Sequence, residues 1–580
     1  MSKYTLKCLF VDLDSRSVRF EQVPQDISLK YIGGRGIATH LLGLNPMLKA
    51  GEPETPLVFS AGPLTGSRLP STGRMTISSF SPLTNTITSS SVGGNLGIQM
   101  RMAGLDVIHI TGKSRNKLVL CIQDMDVSFE DVALGEDTPL QEVFLKLSSR
   151  GSVAAVGSAG FHGCLFASIM VDGAYAAGRG GLGYVMASKN LVAVTVRGSH
   201  RPGVGDRHME GITTEDILRL FDASPAIMGV SGIHRYGTVS LVDLMASRRM
   251  MPTANFRKTF FEQYRAFSAS RIVSTFKATH NGCYACPIRC KLKSDGGKEL
   301  PEFETVSHFG ALNENADLMS IIEANRICNE VGMDTITAAS TIACLAEIRE
   351  KKYTGDTLVG KVKEMASGKG LGELLQMGSR RLAEELGQPG TSMSVKSMEI
   401  PAYDPRGAYG MALGYCTSTR GACHLRAYPI SHEILRRPVA TDRFSFQGKA
   451  RIIKIAEDVN AAIDSMGACK FAFFGASMEE YALGMKAVTG LDIEPQDLIT
   501  IGERIFILER YINCQRGFAK EDDFLPARFY KEPGTPGPGL EIPPIERALF
   551  KETLERYYRV RGCSPDGVPT EKRLKELDII

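Results

Sequence analysis

The sequence predicts an α+β protein whose sheets come first and whose helices follow. Between Tyr4 and about Gly198, short runs rich in β-branched residues alternate with turn residues. Beyond that region the apolar positions recur at helical spacing. At 580 residues, 43% of them hydrophobic, the chain can bury a large core and has the length of three or four domains of roughly 150 residues each.

The predicted strands are KCLFVDLD, SVRFEQV, TPLVFSAG, DVIHITG, KLVLCIQD, GSVAAVG, ASIMVDG and NLVAVTVRG. Three glycine-rich turns interleave with them: Gly33-Gly34-Arg35-Gly36, Ser89 to Asn95, and Ala177 to Gly183. The polar stretch 197–211 is a linker candidate. After it, TEDILRLFD at 214–222 reads as helix. In DLMSIIEANRICNEVG the residues Leu318, Ile321, Ile322, Ile327, Cys328 and Val331 share one helical face, and Gly332 stands at the C-cap. Asp334 can cap a second helix. Further helix is expected over 357–387 and 446–466. Residues 531–545 are too rich in Pro and Gly for regular structure and lead into a final short helix. One echo stands out: Asn329 to Asp334 and Asp464 to Cys469 both read polar-x-x-Gly-x-polar at the end of a helix.

Lys and Arg number 68 against 64 Asp and Glu, a net +4 that is not gathered into blocks, which argues against a nucleic-acid reader. No apolar run approaches the roughly 18 residues of a membrane span, and no export signal opens the chain, so a cytoplasmic protein without a transmembrane segment is expected. The 13 cysteines are then thiols. Cys283, Cys286 and Cys290 stand at C-x2-C-x3-C spacing, which suits a [4Fe–4S] cluster completed by a distant ligand, with Cys469 the best-placed candidate. A zinc site is the alternative, although no second pair of ligands accompanies it. Three core cysteines in chance proximity would be a third reading.

The segments GRMTISSFSPLTNTITSSSVGG, GCYACPIRC, PEFET, NEVGMD, DSMGAC, RGACHL and GFAKEDDFLPARF follow one another from about residue 30 to 535. Together they resemble the aldehyde ferredoxin oxidoreductase family of tungsten enzymes. The resemblance implies an amino-terminal β domain seating the pterin cofactor (1–208) and two mainly α-helical domains, one with the three-cysteine motif (209–400) and one with the fourth cysteine (401–580). It implies tungsten, less often molybdenum, held by two pyranopterins, with magnesium bridging the pterin phosphates. It further implies a [4Fe–4S] cluster on Cys283, Cys286, Cys290 and Cys469. Asp334 and Asp464 match carboxylates that accept bonds from the pterin edge, with Asn329 in the first turn. Arg74 matches an arginine between pterin and cluster. Gly93, Gly94 and the Arg179 turn offer backbone amides to phosphate.

Three positions depart from the family pattern: Asn329 stands for Asp, Ser91 for an Asn beside the magnesium, and Tyr175-Ala176 for Arg-Ala. Glu323 aligns with a ligand of a subunit-bridging iron in some members, but no histidine follows where that site needs one, so that metal is not expected. Glu304 and His424 match the active-site pair, as general base and as donor to the carbonyl of an aldehyde being oxidised to an acid. Electrons would pass to ferredoxin or an iron–sulfur subunit, and a homodimer belongs to the expected partners. The rival readings are a different low-potential reaction, such as aromatic thioester ring reduction or hydroxy-acid oxidation, or a non-catalytic cluster or zinc protein.

Overall fold

The computed structural model describes residues 4–133, 135, 137–436 and 439–580. Its first 200 residues form two six-stranded sheets. The first holds β1 (Lys7–Asp12), β2 (Ser17–Gln22), β3 (Leu57–Ala61), β4 (Met75–Phe80), β5 (Ile87–Val92) and β6 (Val107–Thr111). The second holds β7 (Leu118–Gln123), β8 (Asp126–Asp131), β9 (Ser152–Val156), β10 (Ile169–Val171), β11 (Tyr175–Ala177) and β12 (Leu191–Arg197). The spatial orders are β2-β1-β6-β3-β4-β5 and, read from the corresponding edge, β8-β7-β12-β9-β10-β11. Each sheet has one parallel pair, β1 with β6 and β7 with β12, and every other pair is antiparallel. Residues 7–111 and 118–197 are therefore two copies of one topology. They share a core of Leu9, Phe59 and Ile108 from one sheet with Leu120, Val194 and Val196 from the other.

In both copies a glycine turn joins the fifth strand to a short helix: Gly93-Gly94 before Leu96–Met102, and Gly178 to Gly181 before Leu182–Ser188. The expected turn from Ser89 to Asn95 is in fact strand as far as Val92. Its serine run pairs with β4 and is largely buried, and arginines satisfy two of the hydroxyls that made it look like a loop, Arg426 at Ser89 and Arg74 at Ser91. β4, β8 and β11 were likewise absent from the sequence reading.

Helices dominate from Arg207 onward. The first runs Arg207–Asp222, because the Asp206 carboxylate caps the amides of His208 and Met209; the last third of the linker candidate, 207–211, is thus helix. The region expected as helix over 357–387 is three pieces, Gly355–Ser367, Leu371–Leu375 and Ser379–Glu385, divided by left-handed glycines at 368, 370 and 378. Lys449–Met466 packs along Pro495–Gln515. The strap over 533–545 is pinned by Arg406, whose guanidinium donates to the carbonyls of Glu532 and Pro533. The last helices, Arg547–Arg561 and Glu571–Glu576, are more than the single short one expected.

The echoed turns dock on equivalent places of the two copies. Gly467, in the left-handed conformation after helix Lys449–Met466, sits over Gly62 at the end of β3. Gly332, after Leu318–Val331, sits over Gly157 at the end of β9. A Cβ on Gly62 would overlap the Met466 carbonyl group, and one on Gly157 the Val331 carbonyl. Backbone bonds complete each joint: Leu64 and Arg74 amides to Met466 and Gly467 carbonyls, and Ser168 amide to the Gly332 carbonyl.

Candidate active site

A cavity of about 300 Å³ opens between the doubled sheets and the helices. Its wall brings together Arg74, Ser91, Gly93, Cys283, Cys290, Glu304, Asn329, Asp334, His424 and Cys469. Gly94, Arg179, Asp464 and Cys286 do not line it but contact residues beside it.

At one end stand the cysteines. Cys283 and Cys286 lie in a loop between two short paired strands, Thr279–Asn281 and Lys291–Lys293, with Cys290 just ahead of the second. Cys469 follows the Gly467 turn, and its amide donates to the Ser71 carbonyl while the Ser71 amide donates to that of Ala285, which ties the two cysteine segments together. The Gly94 amide bonds to Cys283 Sγ, and Ser71 Oγ lies 3.3 Å from Cys286 Sγ. Arg74 sits between these thiols and the cavity. Burial disfavours its charge, and Cys469, Cys283, Asp464 and Cys290 together more than offset that. Its Nε and Nη2 donate to Ser91 Oγ and Ser91 carbonyl at 2.8 and 2.7 Å. Tyr175, the departure from Arg, lays its ring against Gly93 and donates from its hydroxyl to the Gly282 carbonyl at 2.8 Å.

Behind the cavity is a set of buried cations that the sequence reading missed. Asp464 faces Lys470, Arg35 Nη1 at 3.6 Å and Arg426 Nη1 at 3.5 Å. Burial would raise its pKa, but these three cations hold it below the usual carboxylate range. Arg420 Nη2 lies 2.9 Å from Cys423 Sγ; burial pushes that thiol up, and Arg420, Arg426 and Arg179 together bring it down to about 7. On the other side Arg179 donates to the carbonyls of Ala422 and Glu399, and its Nε is 3.4 Å from Asp334 Oδ2. Asp334 itself caps helix Thr335–Ile348 through the amides of Ile336 and Thr337. Asn329 lies on the last turn of helix Leu318–Val331 at the cavity wall.

Glu304 opens helix Phe303–Phe309. Its Oε2 accepts from the Ala402 amide at 2.9 Å, whereas buried Oε1 has no hydrogen-bond partner and lies 3.6 Å from His424 Nε2. Burial pushes the Glu304 carboxyl up to about 8 and holds His424 far below the ordinary imidazole range, hence neutral. Phe303, Tyr403 and Tyr428 wall the pair, with Tyr403 5.5 Å and Tyr428 6.1 Å from the His424 ring. Glu302, two residues away, instead pairs with Lys291 at 2.6 Å.

The comparisons settle the relationship. The aldehyde ferredoxin oxidoreductase N-terminal domain matches residues 8–198, and domains 2 and 3 of the same family match residues 213–579. The chain belongs to this family. It is 36% identical to the tungsten-containing aldehyde ferredoxin oxidoreductases of Pyrococcus furiosus and Thermococcus kodakarensis, in both cases over 98% of each chain. The active-site complex BamBC of benzoyl coenzyme A reductase shares the fold, with a TM-score of 0.83 at 21% identity over 99% of this chain and 96% of that one.

The protein is thus an oxidoreductase of a family that uses a tungsten bis-pyranopterin and a [4Fe–4S] cluster. Its residues fit both groups. Cys283, Cys286 and Cys290 stand at C-x2-C-x3-C spacing and their loop is tied through Ser71 to the Cys469 segment, a set of thiol donors whose chemistry fits an iron–sulfur cluster. Arg35 Nη1, Arg420 Nε and Arg426 Nε are buried without hydrogen-bond partners, as groups awaiting an anionic cofactor would be. The sequence signal for two of them was present in Arg420-Gly-Ala-Cys-His-Leu-Arg426, which brackets His424 with cations.

Proposed function

We propose that the protein oxidises aldehydes to carboxylic acids, with Glu304 and His424 as the residues that meet the substrate. The observation that carries this reading is the unpartnered Glu304 Oε1 facing His424 in an aromatic-walled cavity that also reaches Arg74 and the cysteines. His424 donates from Nε2 to the carbonyl oxygen of the substrate. Glu304, fixed through Oε2 by the Ala402 amide, takes up the released proton at Oε1. A carboxyl that titrates near 8 can be both acceptor and donor at neutral pH. Phe303, Tyr403 and Tyr428 exclude bulk water.

When bound, the tungsten pterin supplies the two-electron oxidation and oxygen transfer. Asp334, Asn329 and Asp464 would hold the pterin edges, and Gly93, Gly94, Ser91 and the Arg179 turn would border the phosphates and their magnesium. Cys283, Cys286, Cys290 and Cys469 would hold the cluster, with Arg74 between the two centres. The electrons would pass to ferredoxin or an iron–sulfur subunit in the cytoplasm, and the three-part division 1–208, 209–400 and 401–580 with a homodimeric assembly is part of the same reading.

Metal analysis together with pterin fluorescence after oxidation tests the cofactors; zinc alone would sink the proposal. Aldehyde-dependent viologen reduction tests the reaction. Activity with an aromatic thioester or a hydroxy acid, and none with aldehydes, would replace it by the related low-potential chemistry, to which the BamBC fold likeness also points.

A further inference from the structure

The Thr337 hydroxyl has one proton and two carboxyl neighbours. Its Oγ1 lies 2.6 Å from Asp334 Oδ2 and 2.9 Å from Glu399 Oε2. One of these contacts can use the Thr337 proton; the other is attractive only if the carboxyl itself carries one. The surrounding donors decide which. Asp334 accepts from the amides of Ile336 and Thr337 and faces the Arg179 guanidinium, a setting for a carboxylate. Glu399 is fully buried, and its carboxyl is bonded by neutral donors, the amide and hydroxyl of Ser379, both 2.9 Å from Oε1, and its own backbone amide. Arg179 reaches the Glu399 backbone carbonyl, not its carboxyl, and spends another arm on Ala422.

The other charged or titratable groups that face Glu399 are Arg179, Arg381 on helix Ser379–Glu385, the Asp334 carboxylate and the Cys344 thiol. Burial dominates among them and raises the Glu399 pKa.

We propose that Glu399 is a neutral carboxylic acid in the folded protein and, through the Thr337 hydroxyl, an internal proton donor to Asp334. The proposal rests on the reading that Asp334 borders the pterin. When negative charge builds at that edge, the Glu399 Oε2–H bond breaks as its proton passes to Thr337 Oγ1, while the Thr337 proton passes to Asp334 Oδ2. Asp334 ends as the acid, Glu399 ends as a carboxylate held by the Ser379 amide and hydroxyl, and total charge is unchanged. Glu399 is a positioning and proton-holding residue, since Thr337 and Asp334 stand between it and the cavity.

Infrared difference spectroscopy on the holoenzyme, oxidised against dithionite-reduced, is the test. A protonated-carboxyl band is expected at neutral pH. It should vanish in Glu399→Gln, whose amide can donate to Thr337 and accept from Ser379, and it should shift on reduction in wild type but not in Thr337→Val. Thermal unfolding gives a second readout. An acid whose folded pKa is raised stabilises fully below its unfolded pKa, and that contribution is lost as pH rises toward the folded value. Wild type should therefore lose stability relative to Glu399→Gln as pH climbs above the ordinary glutamate range. A missing band, or wild type gaining on the variant with rising pH, would overturn the neutral acid. An unchanged reduction shift in Thr337→Val would overturn the relay. If Glu399→Gln does not fold, the reduction-sensitive band is read in Glu304→Gln, which removes the other acid at the cavity: persistence above the ordinary glutamate range supports the proposal, and loss within that range refutes it. Pterin assayed in the same samples separates the two readings, because its absence beside an intact Glu399 band removes the cofactor from Asp334 and leaves the acid standing.

Discussion

Glutamine at position 304 keeps the bond from the Ala402 amide and removes the ability to take a proton at Oε1. Glu304→Gln should therefore lose about 100-fold or more in turnover while retaining iron and tungsten, as measured by metal analysis beside steady-state rates. If Glu304 acts as the base, the wild-type rate rises with pH and levels off above about 8, and the variant lacks that limb. A second prediction concerns packing. A Cβ at position 93 would stand 2.5 Å from Cys283 Sγ and 2.9 Å from Tyr175 Cδ1. Gly93→Ala should displace the cysteine loop and lower iron content. His424, Glu304 and the four cysteines could be picked from the sequence because each lies in a short segment of family pattern. Of the buried arginines, Arg74 and Arg179 came with that pattern and Arg420 and Arg426 bracket His424, whereas Arg35 in its glycine turn gave no sign of whether water or a carboxylate receives it.

Helix Gly34–Gly43 is locked to helix Pro495–Gln515 by a fully buried pair. Arg35 Nε and Nη2 donate to Glu509 at 2.7 and 2.6 Å, and Thr419 donates to the same carboxylate at 2.5 Å. Burial would raise the Glu509 pKa, but Arg35 and Arg426 outweigh it and hold it at about 2. A depressed carboxylate pKa stabilises above the unfolded value and loses that contribution as pH falls toward 2. Glu509→Gln should cost about 3–5 kcal/mol by leaving the arginine charge uncompensated. The expected readout is a lower unfolding midpoint at neutral pH, with the gap to wild type closing in acid. Helix positions read well from apolar period and caps, as for Leu318–Val331 and Asp334. Strands β4 and β5 read poorly: MTISSF and ITSSSV are buried along nearly their whole length, so no alternation betrays them, and their serines imitate a loop.

Over the whole molecule, the cysteine loop is held mainly through the Ser71 contacts and the short strand pair around it, whereas the sheets are fixed by their own core. Oxidative removal of the cluster iron should raise hydrogen exchange over 279–293 and 467–475 and leave β1 to β12 protected. Uniform loosening of the sheets would show instead that the cluster supports the entire fold. The duplication of the sheet topology was invisible in the sequence because it lies in strand order, and the two copies are tuned to different neighbours. Only its counterpart in the helices, the repeated polar-x-x-Gly-x-polar turn, left a trace that short. That repeat is unequal in one place. Two residues after its glycine, one copy carries Asp334, bonded to Thr337 and through it to Glu399; the other carries Cys469, tied to the cysteine loop. On the reading proposed above, a symmetric cradle thereby acquires a direction: electrons depart through the half that carries Cys469, and protons are stored in the half that carries Asp334.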